Sequence, residues 1–319
     1  MSELKKLYES RYSGSMRFLT SRPGLHSVIM ENIHHLLPQN NVLDIGCGAG
    51  RLSLMCARYA KSVTGIDMSR NAIELAKTAS DASRINNVNF ETRNIDDLPN
   101  RRFDIILLSE VIEHLENPEQ ILKKLSNHLE GRGVLVVSCP AFINFRGSIW
   151  MVLQELFQLL MSPSDLRQIY PHHMSKWCGD AEYVIERKIG LYYNWAWAQD
   201  AVDDLKQRIR LAFRDKKREN QNWSSIDINF EALDQFLEEQ VPYQERMMCF
   251  WINNGFLLNT QDWSIPIVNP QACVREPRLL QEMTVYLRDR LMYYSQVAPL
   301  NEMGAGIIYF LRKNENVGV

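Results

Sequence analysis

The segment Val42-Leu43-Asp44-Ile45-Gly46-Cys47-Gly48-Ala49-Gly50 constrains this chain more than any other. An apolar run suited to a buried strand leads into three alternating glycines. Behind them, Leu52, Met55, Cys56 and Tyr59 fall at the spacing of one helical face. Glycine lets the backbone bend tightly and approach a ligand with no Cβ in the way. A strand, a glycine turn and a helix in that order open an α/β sheet, whose ligands bind at the carboxyl ends of the strands.

The rhythm continues to about residue 140. Ser62–Ile66 reads as a second strand, and Ser69 caps a helix bearing Ala72, Leu75, Ala76 and Ala79. Val88–Arg93 alternates apolar with polar as a third strand. Phe103–Leu108 is apolar apart from Asp104 and therefore reads as a central strand. Asn117 and Pro118 start a further helix, closed by Gly131 and Gly133, and Val134–Ser138 is the fifth strand. Beyond 140 the alternation breaks. Residues 141–180 are a long connection, Val184–Tyr193 reads as strand six, and Gly304–Lys313 as the terminal strand.

This pattern predicts a helical cap at 1–40 and a sheet domain from 41–195 plus 304–319. A mainly helical insertion at 196–303 would cover a substrate or meet a second copy in a homodimer. Composition narrows the class. With 45% hydrophobic and 23% charged residues the chain is ordinary globular protein, not a disordered or coiled-coil one. A net charge of −2 gives no global field for nucleic acid or anionic membrane.

The N-terminus MSELKKLYESRYSG lacks the apolar run of a signal peptide. The greasiest stretch, Ile149–Met161, is broken by Gln154, Glu155 and Gln158 and falls short of the roughly twenty apolar residues a transmembrane helix needs. Cys47, Cys56, Cys139, Cys178, Cys249 and Cys273 form no C-x-x-C pair, so neither a disulfide framework nor a thiolate metal site is expected. A reduced, cytoplasmic protein without a transmembrane segment follows as the simplest expectation.

The glycine spacing is G-x-G-x-G, where a dinucleotide pyrophosphate would call for G-x-G-x-x-G. Asp44 precedes the first glycine, and a carboxylate at that strand end suits a ligand carrying positive charge. Asp67, followed by Met68, closes the second strand 21 residues after Gly46, where such sheets bond ribose hydroxyls. Glu110-Val111-Ile112-Glu113-His114 follows strand four at the carboxyl edge. If that segment is helical, Glu110, Glu113 and His114 share a face. Such a set suits a divalent cation (Mg, Mn or Zn) that would lower a hydroxyl's pKa, or acid–base chemistry by the histidine without metal.

Over residues 40–140 these motifs resemble the class I S-adenosylmethionine-dependent methyltransferases. The resemblance implies a Rossmann-like seven-stranded α/β sheet, mostly parallel with the last strand antiparallel and helices on both faces. It implies S-adenosylmethionine as cofactor, its methionyl portion at Gly46 and Gly48, its ribose at Asp67, its adenine at Asn94 and Ile95, and a further contact at Ser109. Asn94 stands where many members carry Asp, and its amide can still accept from the adenine amino group.

Over residues 40–195 the chain further resembles the ubiquinone-biosynthesis O-methyltransferases, with a similar arrangement in small-RNA 2′-O-methyltransferases. That likeness implies Glu110, Glu113, His114 and His172 as metal ligands, with His173 as the alternative to His172. It implies His114, Glu113 and His172 as the groups that activate the acceptor. Residues 196–303 have no counterpart in the ubiquinone enzymes, which leaves the acceptor open.

The expected activity is O-methylation of a hydroxyl on a small, biosynthetic or lipid-like acceptor. N- or C-methylation without metal, RNA 2′-O-methylation, a nicotinamide oxidoreductase and a non-catalytic binding module are the alternatives. The basic stretch Leu205–Arg218 reads as a solvated helix face, with phosphate or acidic lipid as the other reading and peripheral membrane contact as its consequence. Trp195, Trp197, Trp223, Trp251 and Trp263 read as core or interface, or as walls for a greasy substrate. His26, His34, His35 and His128 read as structural.

Overall fold

The structure, a computed structural model, describes residues 9, 12, 24–162, 164–219, 229–253 and 303–314. In chain order the first elements are α1 (Leu25–Ile33), β1 (Asn41–Ile45), α2 (Arg51–Ala57), β2 (Ser62–Asp67), α3 (Arg70–Ser83), β3 (Val88–Thr92) and β4 (Phe103–Ser109). Then come α4 (Pro118–His128), β5 (Leu129–Pro140), α5 (Phe145–Phe157), α6 (Pro171–Asp180), β6 (Tyr183–Leu191), α7 (Tyr193–Ala196), α8 (Ala198–Glu219), α9 (Phe230–Asn253) and β7 (Gly306–Lys313).

The seven strands form one sheet in the order β3-β2-β1-β4-β5-β7-β6. β1 to β5 pair in parallel with their neighbours, and β7 runs antiparallel to both β5 and β6. β4 lies between β1 and β5, and Phe103, Ile106, Leu107 and Leu108 are completely buried, as a strand covered on both faces requires. Each such side chain contributes about 1.5–3 kcal/mol of burial. Strand order reverses between β1 and β4. The switch point where open α/β sheets hold ligands therefore falls at the ends of those two strands.

Local chemistry sets the helix ends. Ser69 accepts from the Ala72 amide through its side chain at 3.1 Å and starts α3, as its sequence predicts. Pro118 opens α4 at the position where a missing N–H costs nothing. The expectation that Gly131 and Gly133 close α4 is corrected. The helix ends at His128, and both glycines lie inside β5. There β4 advances from Phe103 to Ile105 while β5 advances from Leu129 to Val134, which is a bulge. A Cβ on Gly133 would press against the Leu129 side chain at 2.7 Å and the Asp104 carbonyl at 2.9 Å. The expected stripe on α2 also stops early: the helix ends at Ala57, and Tyr59 is exposed.

By its contacts the chain divides into two units. One comprises 1–139, 171–188 and 308–319, and the other 140–170 and 189–307. In the first, α6 packs on α4, and the β2–β3 edge is covered by α3, with Ile73, Ala76 and Phe90 as its core.

The second unit is built from α5, α7, α8 and α9 around Trp150, Leu153, Leu205, Ile209, Phe213, Leu237 and Val241. Arg146 is buried there, its Nε 2.6 Å from one Asp204 oxygen, while Arg208 Nε lies 2.7 Å from the other. Burial pushes the Asp204 carboxyl up, but the two guanidiniums outweigh it and hold the group below the usual carboxylate range. The basic stretch on α8 is largely paired: Lys206 with Glu238 and Arg210 with Asp234. Of the expected insertion, residues 220–228 and 254–302, with Trp223, Trp263 and Cys273, lie outside the described residues, as do most of residues 1–23.

Candidate active site

The turn after β1 stands at the switch point with three glycines in the left-handed region: Gly46 at φ 68°, Gly48 at 54° and Gly50 at 79°. Side chains other than glycine rarely adopt that backbone. Space is equally short. A Cβ on Gly46 would lie 2.5 Å from Val111 Cγ2, so the β4 end packs directly on the β1 turn.

Four of the turn's five amides are committed inside the protein. Gly46 and Cys47 both donate to the Ile66 carbonyl at 2.8 and 3.0 Å, and Gly50 donates to the Cys47 carbonyl at 3.0 Å. Gly48 donates to Asp67 Oδ2 at 2.9 Å. A phosphate cradle depends on successive backbone N–H groups pointing at the ligand. Here four of them point elsewhere, which matches the G-x-G-x-G spacing.

The charge of the turn is negative. Asp44 is buried and accepts the Ser53 hydroxyl at 2.5 Å. Burial pushes its carboxyl up, to about 7; the Ser53 bond opposes that shift and the neighbouring Asp67 charge adds to it. Asp67 ends β2 with Oδ1 accepting from the Ser69 amide at 2.8 Å and Oδ2 from Gly48. Cys47 sits between the glycines, but burial, then Asp44 and Asp67, pushes its thiol well up, so it is no thiolate nucleophile. Met68 is half-buried beside Asp67. After β3, Asn94 is exposed and Ile95 half-buried, with the Asn94 Oδ1 accepting from the Asp96 amide at 3.3 Å. Two carboxylates at a glycine turn, four of whose amides are bonded within the protein, fit a cationic ligand bearing a ribose, as S-adenosylmethionine is.

The β4 end differs from the sequence expectation. Residues 110–114 are not an α-helix: only Ile112–His114 form a short 3-10 turn, and Leu115 is already extended. Glu110 takes a left-handed backbone with φ 54°, uncommon for a side chain of its size. Its amide donates to the Ser138 carbonyl and hydroxyl, both at 3.1 Å, and its carboxylate accepts from that hydroxyl at 3.1 Å. Ser138 thus bonds both the backbone and the carboxylate of Glu110. Ser109 Oγ lies 3.2 Å from Ser138 Oγ in the same small network.

Glu113 and His114 do come together. Glu113 is buried, and its Oε1 lies 3.8 Å from His114 Nε2. His172 is exposed on the first turn of α6, its ring 4.1 Å from that of His173, which stacks on Trp177 at 5.5 Å. Among the described residues, no group of three ligating side chains includes Glu110 or His172. The four-donor set Glu110, Glu113, His114 and His172 therefore does not assemble as expected from the sequence, and Glu113 with His114 is the part of it that meets.

Ser53 and Ser138 were missed in the sequence. Ser53 follows Asp44 by nine residues, and Ser138 lies in β5, beside β4 and in register with Ser109. Both could be found only once strand order was known.

Fold and site together define an S-adenosylmethionine-dependent methyltransferase, and residues 36–197 match a family model described as a methyltransferase domain, so the chain belongs to that family. Its curated relatives are narrower. The chain is 30% identical over 164 residues to a ubiquinone biosynthesis O-methyltransferase of Coxiella burnetii (strain Dugway 5J108-111), covering 50% of this chain and 69% of that one. To the mitochondrial ubiquinone biosynthesis O-methyltransferase of Saccharomyces cerevisiae it is 33% identical over 186 residues, 56% of this chain and 54% of the other. Among solved structures, magnesium protoporphyrin IX methyltransferase from Synechocystis PCC 6803 with bound S-adenosylhomocysteine is similar over 58% of this chain and 87% of its own, at 21% identity and a TM-score of 0.44.

Proposed function

We propose that this methyltransferase transfers a methyl group to a hydroxyl oxygen of a small, biosynthetic or lipid-like acceptor. The pairing of buried Glu113 with His114 after β4 carries this reading, and the two O-methyltransferase relatives support it. When bound, S-adenosylmethionine supplies a methyl on a trivalent sulfur, open to in-line displacement by the acceptor oxygen. Asp44, the turn at Gly46 and Gly48, and Asp67 with Met68 would bind it, with Asn94, Ile95 and Ser109 along the same edge of the sheet.

His114 would take the acceptor's proton on a ring nitrogen, and Glu113 would stabilise the imidazolium that forms. The C–S bond breaks as the O–C bond forms, and the proton remains on His114 until released to solvent. A divalent ion is the second reading. Glu113 and His114 would hold it, and it would lower the pKa of the acceptor hydroxyl.

The test uses a panel of phenols and catechols, with product read by mass. His114→Ala should lower kcat by about a hundredfold to a thousandfold with S-adenosylhomocysteine affinity kept. Unchanged kcat would remove His114 from the mechanism. Activity that survives exhaustive chelation favours the proton-transfer reading, and activity restored only by a divalent ion favours the metal.

A further inference from the structure

The loop after β3 stands at the carboxyl edge of the sheet, next to Asp67 and within the first unit. Asp67 and Thr92 are in register across β2 and β3, and the Arg93 amide donates to the Asp67 carbonyl at 2.9 Å. Neighbouring strands lie about 5 Å apart, so a base attached to a ribose at Asp67 has this loop as its neighbour. The loop carries a turn of its own. The Asp97 amide donates to the Asn94 carbonyl at 3.0 Å, and the Asp96 amide to Asn94 Oδ1 at 3.3 Å. Arg93 tightens it locally, its guanidinium 2.8 Å from Glu91 and donating to the Asp97 carbonyl at 3.2 Å. Those bonds join the loop only to itself and to its own strand.

Lys124 ties it to another element. From α4 its ammonium donates to the Asp96 carbonyl at 2.5 Å, with a second, longer bond to the Ile95 carbonyl at 3.4 Å. The helix beneath is fixed, since Ile121, Leu122 and Leu125 on α4 are buried. Lys124 itself is half-buried, and among the described residues no carboxylate forms an ion pair with it. Its charge therefore serves two successive backbone carbonyls, and hydrogen bonds from a charged donor are the stronger kind.

We propose that Lys124 is the positioning residue for base recognition: it holds the Asn94–Asp97 loop in the shape that reads adenine. This rests on the assignment of S-adenosylmethionine to this edge of the sheet. Lys124 itself touches no ligand. An amide oxygen has two lone pairs, so Asn94 Oδ1 keeps one for the adenine amino group beyond its bond to the Asp96 amide. Hypoxanthine carries a carbonyl oxygen in place of that amino group and would set acceptor against acceptor. A loop held in place penalises that mismatch, and a loop free to turn away does not.

Isothermal titration of the full-length protein with S-adenosylhomocysteine and with S-inosylhomocysteine, its deaminated analogue, tests this without turnover. The wild-type protein should bind the adenine form at least about tenfold more tightly. Lys124→Met keeps the apolar stem and removes both bonds. It should weaken S-adenosylhomocysteine about tenfold and S-inosylhomocysteine by no more than about twofold, so the ratio between them falls. Lys124→Arg, which keeps a charged donor, should retain most of the affinity and of the ratio. In Lys124→Met, KM for S-adenosylmethionine should rise while kcat at saturation holds. The melting temperature without ligand should stay within about 2 °C of wild type, as for a half-exposed side chain outside the core.

Unchanged affinity of Lys124→Met for S-adenosylhomocysteine would overturn the role of Lys124 and leave the cofactor assignment standing. Equal weakening of both ligands would overturn it as well, because a merely structural lysine does not distinguish the two bases. Failure of the wild-type protein itself to bind S-adenosylhomocysteine would overturn the cofactor assignment and this proposal with it.

Discussion

At the scale of single residues, Asp44 is the most informative group. Its folded pKa of about 7 stands above the ordinary carboxylate value of 3.8, chiefly through burial. Protonation is thus favoured in the fold, and the unliganded protein should lose stability from this group as pH rises from 3.8 toward about 7. A sulfonium cation reverses that preference by favouring the carboxylate. S-adenosylmethionine carries the cation, whereas S-adenosylhomocysteine is neutral at sulfur and otherwise alike. Their affinity ratio should therefore rise by up to about tenfold between about pH 6 and pH 8, and Asp44→Asn should flatten it. A pH-independent ratio in the wild-type protein would place the cation away from Asp44.

Residue identities were legible in the sequence where type and neighbours fixed the role. The left-handed glycines and the strand-end Asp67 needed no coordinates. Glu110 was not legible: its left-handed backbone and its bonds to Ser138 depend on which strand lies beside β4, which no local pattern encodes.

At the scale of elements, helix starts were readable because capping is local, as Ser69 and Pro118 show. Helix ends were less so. The bulge in β5 absorbed Gly131 and Gly133, which read from sequence as a stop signal. The ion pairs of the second unit were likewise hidden, since Arg146 and Asp204 stand on different helices and only packing unites them. Arg146→Leu should leave Asp204 short of one buried partner and lower stability by about 3 kcal/mol, measured by urea unfolding. Arg210→Leu, whose partner is the more exposed Asp234, should cost under about 1 kcal/mol. Equal losses would mean the buried pair adds nothing beyond an exposed one.

At the scale of the whole molecule, five strands and the helices between them were legible in the alternating pattern through residue 140, whereas their order in the sheet emerged only from the structure, in which the antiparallel β7 completes the sheet. Among the described residues no helix is long and apolar enough to cross a membrane. The account depends on what the switch point between β1 and β4 holds. Parallel equilibrium titrations of the wild-type protein with S-adenosylhomocysteine and with NAD measure that directly. Saturable one-to-one binding of S-adenosylhomocysteine, lost in Asp67→Ala, with no binding of NAD, is the predicted result. Saturable binding of NAD at that turn without binding of S-adenosylhomocysteine would contradict it.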